Sequence, residues 1–428
     1  MTRYEQMDDA ALDAEIGRLE NEVARLRALD LSLDMTRGKP CAEQVELSKP
    51  MLDVLTSASD LHDEGVDAGN YGHPEGIAAT RRLFAEMLEV PLENVYVGNS
   101  SSLNMMFDCI CHAYTAGLRG NAPWHELDEV KFLCPAPGYD RHFGVSAYFG
   151  IENVPVPMRE DGPDMDVVQR LVESDPSVKG LWCVPKYQNP TGITFSDEVV
   201  RRFAALRPAA DDFRVFWDNA YLVHDFNDTP DRLLNVFDAM REAGTDDLVL
   251  EFASTSKVTF AGSGVACMAA SEGDMAELLG AFSRERVSSN KIIQLMHARY
   301  LPDMDAVRAH MARHAECVRP RFELVERKLS EGLADLADVR WTHPNGGYFV
   351  SFDGPEGTAA AIVGLAGDLG VKMTAAGATW PGGHDPADTN IRIAPTFPSV
   401  EELSEALDVF VVCVRLVCAR RELKRRHR

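Results

Sequence analysis

Between residues 95 and 270 the chain alternates short runs that are apolar throughout with stretches of helical periodicity. "NVYVGNS" leads into "SSLNMMFDCICHAYTAGL", "VKFLCPAPGY" into "RHFGVSAYFG", and "KGLWCVPKYQNPTG" into "SDEVVRRFAALRP". "FRVFWDNAY", "DLVLEFASTSK" and "GVACMAASE" complete the set. Strands that are apolar on both faces must be covered on both, and helices between them supply the crossovers a parallel ladder needs. The pattern predicts an α/β chain with a mostly parallel, doubly wound sheet, whose ligands sit at the carboxyl ends of the strands.

At 428 residues the chain is too long for one simple core. Outside the sheet region the pattern changes. A helical region over about 273–335 precedes "NGGYFVSFD", a helix, "VKMTAAGA", "NIRIAPT" and a final helix. These predict a smaller α+β domain made from residues 1–50 and 306–428, beside a large domain over 51–305. Leu12, Ile16, Leu19, Val23 and Leu26 recur at helical spacing over only two heptads, which points to a helix docked on the body rather than a coiled coil. After the extended "DMTRGKP", helix is expected to run to about residue 64.

A formal charge of -24 argues against nucleic-acid or anionic-membrane partners. Nine scattered cysteines read as reduced core thiols of a cytoplasmic protein. In "CICH", Cys109 and Cys111 would point about 200° apart on a helix, and no second metal motif accompanies them, so no metal site is expected. "MTRYEQMDDAALDAEIGRLE" has no apolar leader core, and "VFVVCVRLVCA" is interrupted by Arg415 and too short to span a bilayer. The basic tail "RRELKRRHR" reads as a solvated helix end.

The residues that terminate the strands carry the functional argument. "GNSSSLN", with Ser100, Ser101 and Ser102, opens a helix and could cradle an anion, although a serine N-cap needs no ligand. Tyr139 and His142 follow the second run; a ring there could stack on a flat ligand or simply pack. "NPTG" makes a turn after the third run. Asp218 ends an apolar strand, where a carboxylate is costly without a cationic or protonated partner, and Tyr221 lies three residues on. Lys257 ends the next run almost without charged neighbours, and Arg392 sits among apolar residues in "NIRIAPT", suited to a carboxylate. One cofactor needs most of these groups. Pyridoxal 5'-phosphate takes a lysine at its aldehyde, an acid at its ring nitrogen and an anion site at its phosphate.

In order and spacing the chain resembles the fold-type I, class I aminotransferases, in the aspartate aminotransferase-like subgroup. "NPTG", "DNAY" and "STSK" carry the resemblance, with 29 residues from Asn189 to Asp218 and 39 from Asp218 to Lys257. The resemblance implies that Lys257 bonds the cofactor as a Schiff base, that Asp218 pairs with the ring nitrogen, and that His142 buttresses Asp218. It implies that Asn189 and Tyr221 bond the cofactor's 3'-oxygen, that Tyr139 stacks on the ring, and that Ser101, Ser102 and Ser254 hold the phosphate. Tyr71, in "NYGHPEG", would reach the cofactor of a neighbouring subunit, giving a homodimer with shared sites. Gly38, Asn189 and Arg392 would contact the substrate's α-carboxylate.

The implied activity is transfer of an amino group between an L-amino acid and a 2-oxo acid, with aspartate and 2-oxoglutarate as the leading pair. Arg37, Lys291 and Arg141 are the candidates for a second substrate carboxylate. Alanine, aromatic or broad specificity, and a lyase or decarboxylase on the same scaffold, stay open. A transcription regulator is disfavoured, because only one amphipathic helix precedes "DMTRGKP". In one place the chain departs from the family: Gly264 stands where a phosphate-binding arginine is usual. The phosphate site would then rest on hydroxyls, backbone amides and Ser263, or on a basic group from elsewhere.

Overall fold

The computed structural model describes residues 3–427; the first two residues of the N-terminal stretch and the last of the basic tail lie outside them. One sheet has eight strands: β1 (Val95–Gly98), β2 (Lys131–Ala136), β3 (Glu152–Arg159), β4 (Gly162–Pro163), β5 (Val178–Cys183), β6 (Arg214–Asp218), β7 (Val249–Ser254) and β8 (Ala266–Ala269). Their spatial order is β1-β8-β7-β6-β5-β2-β3-β4. From β7 to β3 every neighbour is parallel. One face packs Val215, Trp217 and Val249 beneath helices that include Asp197–Ala204 and Val236–Ala243. The other packs Phe132, Phe216 and Phe252 beneath Ser102–Ala116 and Glu272–Glu285. Both faces are covered, as the continuous apolar runs require.

The structure corrects the expected pattern in three places. "GVACMAASE" does form a strand, but β8 is antiparallel to both β7 and β1. Only residues 255–265 join β7 to β8, short of the dozen or so that a parallel crossover needs. The sequence reading also passed over β3, whose run "ENVPVPMR" contains Pro155 and Pro157. The Pro157 carbonyl accepts from the Asp164 N–H at 2.8 Å, so the proline side of β3 faces the two-residue strand β4, and the longer ladder with β2 loses no donor. Finally, the helix after "DMTRGKP" does not reach residue 64. It spans Ala42–Ser48, tightens over Lys49–Asp53 and gives way to turns in which Thr56 N–H donates to Ser59 Oγ at 2.9 Å.

The remaining elements form a second core. A three-stranded antiparallel sheet of Arg340–Trp341, Val350–Asp353 and Asn390–Ile393 lies under the helices Met304–Leu333 and Val400–Arg426. Leu33–Met35 pairs in parallel with Val371–Met373, tying the N-terminal segment to this unit. Leu12, Ile16, Leu19, Val23 and Leu26 are all buried on the helix Asp9–Arg27, whose apolar stripe docks on the body. Between the two cores sits a small cluster of Val184, Tyr187, Tyr221, Tyr348, Phe349 and Ala394, with Tyr139 and Ala220 at its margin. It marks where the strand ends of the large sheet meet the smaller unit.

One buried acid sits inside the large sheet. Glu251 on β7 accepts from Asn219 Nδ2 at 2.9 Å, and burial pushes its carboxyl up to about 8, partly opposed by that hydrogen bond. Because the folded value lies above the ordinary value of about 4.3, this group contributes most stability below that value and loses it as pH rises towards about 8. Glu251→Gln should therefore raise the denaturation midpoint relative to the parent increasingly between about pH 5 and about pH 8. A difference that stays constant across that range would show that Glu251 does not exchange a proton there.

Candidate active site

β6 and β7 are parallel, with Asp218 opposite Phe252. That register puts the last residue of β6 at the same rim as the loop that leaves β7 and carries Lys257. The rim opens into a cavity of about 500 Å³. Arg37, Gly38, Tyr139, Asn189, Tyr221, Lys257 and Arg392 all line it, so most of the expected residues converge despite lying far apart in sequence.

The Lys257 amine stands 4.8 Å above the Tyr221 ring. Burial lowers its pKa from the ordinary lysine value, and the charge of Asp218 opposes that only partly. A larger fraction of free amine, the nucleophilic form, is therefore available at neutral pH than on an ordinary surface lysine. Tyr221 itself is buried, and its hydroxyl is pushed well above the ordinary tyrosine value by desolvation. Tyr139, at the cavity wall, is pushed up to about 12 for the same reason.

Asp218 is buried, and its Oδ2 accepts from His142 Nε2 at 3.0 Å. The imidazole is stacked on Trp182 at 4.5 Å and 10°. Tyr139 meets the same imidazole edge-on at 4.9 Å. The second carboxylate oxygen, Oδ1, is buried without any hydrogen-bond partner. A buried carboxylate oxygen left open is costly. It fits the protonated ring nitrogen that pyridoxal 5'-phosphate would bring.

Arg392 lies on the strand Asn390–Ile393, opposite Ser351. Its Nη1 donates to Asp140 Oδ1 at 3.1 Å and to Asn189 Oδ1 at 3.2 Å, and its Nη2 donates to Thr374 Oγ1 at 3.2 Å. Its Nε is buried without a partner. The guanidinium lies 4.9 Å over the Phe349 ring. Gly38 faces the same ring: a Cβ there would come within 2.5 Å of Phe349 Cζ, so only glycine lets "TRGKP" close over the arginine. The contact with Asp140 shows that this guanidinium is already placed for a carboxylate.

The expected phosphate residues lie outside the lining of that cavity, gathered round Ser256. Ser254 Oγ donates to Ser256 Oγ at 3.3 Å, and Ser256 Oγ donates to Ser100 O at 3.0 Å. Ser101 caps the helix Ser102–Ala116, accepting from Asn104 N–H at 3.4 Å while donating to Asn104 Oδ1 at 2.8 Å; Ser102 is buried. A Cβ at Gly264 would lie 2.7 Å from both Ser100 O and Ser256 Oγ. Any side chain at that position would therefore force the Ser100 carbonyl or Ser256 to shift. A helix N-terminus and hydroxyls remain to face a phosphate.

Asp218 and His142 lie behind the cavity wall, and Lys291 and Tyr71 also stay outside its lining. Lys291 is buried and donates to Asn70 O at 2.6 Å and Gly72 O at 2.9 Å, so it holds the Tyr71 loop and cannot serve a substrate carboxylate. Tyr71 is 79% exposed and does not line the cavity of its own chain. Arg141 does line the cavity, as do Lys39 and Lys372, which sequence reasoning missed, together with Asp140, Thr374 and Phe349. Lys39 was signalled by its place in "TRGKP". Lys372 carried no such mark, since a lysine on a short strand reads as solvated.

In comparison with known proteins, the model of the family described as aspartate amino-transferase matches residues 7–426. An aspartate aminotransferase of Corynebacterium glutamicum is 41% identical over 98% of this chain and 99% of its own. The crystal structure of an aspartate transaminase from the same organism superposes with a TM-score of 0.95 at 39% identity, covering 99% of each chain.

Gly264→Arg tests the crowding at the phosphate cradle. Restoring the side chain the family usually carries should weaken retention of pyridoxal 5'-phosphate at least about tenfold, or about 1.4 kcal/mol, in a spectral titration. Unchanged or tighter retention would mean that the loop can yield.

Proposed function

Because the chain belongs to the aspartate aminotransferase family, we propose that it moves the amino group of aspartate to 2-oxoglutarate through the cavity that holds Lys257 and Arg392. The protein is an aminotransferase that uses pyridoxal 5'-phosphate. The substrate assignment rests on one observation. Five cationic side chains, Arg37, Lys39, Arg141, Lys372 and Arg392, line the cavity around Lys257, against the single acid Asp140. Such a lining favours a substrate with two carboxylates.

When bound, pyridoxal 5'-phosphate supplies a protonated ring that accepts the electron pair left on the amino acid's Cα. Asp218, with His142 behind it, keeps the ring nitrogen protonated through its open Oδ1. Asn189 and Tyr221, which line the cavity beside Lys257, would bond the ring's oxygen, and Tyr139 would pack against the ring. Ser254, Ser101, Ser102 and the N-terminus of the helix Ser102–Ala116 would hold the phosphate. Arg392 and the Gly38 backbone hold the substrate's α-carboxylate, with Asp140 as the ligand that the substrate displaces. The Lys257 amine takes the proton from Cα and returns it, in a role that its lowered pKa supports. Arg37 and Arg141, both exposed at the cavity mouth, face the second carboxylate.

Tyr71, exposed on a loop held by Lys291, supports a homodimer in which it reaches the neighbouring subunit's cofactor. Nine free cysteines among the described residues, most of them buried, support a cytoplasmic protein. Among those residues no helix is long and apolar enough to cross a membrane.

Lys257→Ala should remove the visible absorbance of the bound cofactor and lower turnover by more than about 10³-fold. Turnover near the parent rate would remove Lys257 from the reaction. Arg392→Lys should raise KM for every amino acid by about tenfold or more, since a point charge replaces a two-pronged donor. Arg141→Ala should raise KM for aspartate and leave KM for alanine within about twofold. An equal rise for both substrates would take Arg141 out of side-chain recognition.

A further inference from the structure

Behind Lys257, on the side away from the cavity, lies a chain of buried polar side chains that the reaction does not use. Gln44 comes from the helix Ala42–Ser48, His310 and His314 lie one turn apart on the helix Met304–Leu333, and Tyr348 follows "NGG" in the smaller unit. All four are buried. His310 Nε2 lies 2.8 Å from the Val258 carbonyl, one peptide beyond the lysine, and Tyr348 Oη donates to the Lys257 carbonyl at 3.4 Å. The two histidines face each other, Nε2 to Nε2, at 3.1 Å. His314 Nδ1 lies 3.0 Å from Gln44 Nε2, which also donates to Tyr348 Oη at 3.1 Å.

The two ends of this chain fix its proton placement. Gln44 Oε1 accepts from the Cys41 N–H at 3.0 Å, and a backbone N–H can only donate. The amide nitrogen of Gln44 therefore faces His314 and donates to its Nδ1. A neutral His314 must then carry its proton on Nε2, aimed at His310. At the other end the Val258 carbonyl can only accept, so it demands a proton on His310 Nε2. The His314 N–H is thus directed at a nitrogen 3.1 Å away that already carries a proton and cannot accept. Both rings are neutral at physiological pH, because burial lowers the pKa of each, that of His314 to about 3. The ionisable groups beside them are Tyr300, Tyr348 and His224, with Arg313 on their own helix. None is an anion that could take the extra proton.

Only two arrangements relieve the opposition. In one, His310 keeps its Nε2 proton on Val258, His314 moves its proton to Nδ1, and the Gln44 amide gives way. In the other, His314 donates to His310 Nε2, and His310 turns its proton on Nδ1 towards Tyr300 Oη, 3.4 Å away, releasing the Val258 carbonyl. The opposite flank of the same loop shows no such conflict. His297 Nδ1 donates to Ile293 O at 2.8 Å, leaving Nε2 to accept from Thr255 Oγ1 at 2.9 Å and Thr259 Oγ1 at 2.8 Å. The lysine loop is therefore clamped firmly on one side and conditionally on the other.

We propose that His310 is a positioning residue for Lys257, holding the lysine loop through the Val258 carbonyl in one of two proton arrangements of the Gln44–His314–His310 chain. These three side chains, from the helices Ala42–Ser48 and Met304–Leu333, thereby control how rigidly the amine is presented. The proposal rests on Lys257 being the reactive amine. Lys257→Ala tests that premise separately by loss of cofactor absorbance, whereas the loop motion below is read from the backbone of the parent lysine-bearing protein.

The test measures hydrogen exchange of amides 255–265 in the holoenzyme, with the pH midpoint of the cofactor's visible band as a second readout. His310→Gln keeps a donor near Nε2 and should leave exchange within about twofold of the parent. His310→Phe keeps the ring without the donor, and should speed exchange at least about tenfold and move the spectral midpoint by about half a unit or more. His314→Phe removes the opposing N–H, and should slow exchange at least about threefold. If His310→Phe does not fold, the other two variants still decide. Equal behaviour of the Gln and Phe variants at 310, or unchanged or faster exchange in His314→Phe, would overturn the proposal.

Discussion

The parallel pairing of Asp218 with Phe252 is the contact on which this site depends. It sets the carboxylate at the end of one strand beside the loop that presents the lysine at the end of the next. A slip of one residue would turn Asp218 to the other face of the sheet and separate it from His142. The aromatic layers on both faces, Trp182 and Phe216 on one and Trp217 on the other, resist such a slip because each ring already fills its place.

The strands that carry this register also keep water away from the charges at their ends. Asp218 is tolerable in that setting because His142 satisfies one oxygen and the cofactor can satisfy the other. The same exclusion of water lowers the lysine's pKa and raises those of Tyr139 and Tyr221. One environment thus favours a free amine beside protonated phenols. At the mouth, where the side chains are exposed, a cationic lining can draw in dianionic substrates without a comparable desolvation cost. Depth in the cavity separates the chemistry from recognition.

Much of this was legible before any coordinates. The both-face apolar runs announced the sheet, and Asp218, Lys257 and Arg392 stood out because each is a charge in an apolar context. Other parts were invisible for definite reasons. The prolines of β3 hid a strand because their tolerance depends on which edge of the strand meets the long ladder and which meets only the short β4. Lys291 looked available until its amine was seen on two carbonyls of the Tyr71 loop. Lys372 and Asp140 carry no local mark, since only long-range packing brings them into one cavity lining with Arg392. The missing arginine was legible as a departure, but its cause was not. The cause is the approach of Ser100 O and Ser256 to Gly264.

The sequence by itself determined the fold class and singled out Lys257, Asp218 and Arg392 as charges in apolar settings. Patterns of burial and misplaced charge are local properties, and they persist along the chain whatever it packs against. Only the tertiary structure decided which cations share the cavity, why glycine must stand at 264, and that His310 and His314 oppose each other behind the lysine. Those depend on distances of a few ångströms between segments far apart in sequence. At that range a hydrogen bond's direction, or a single Cβ, determines what a site can hold.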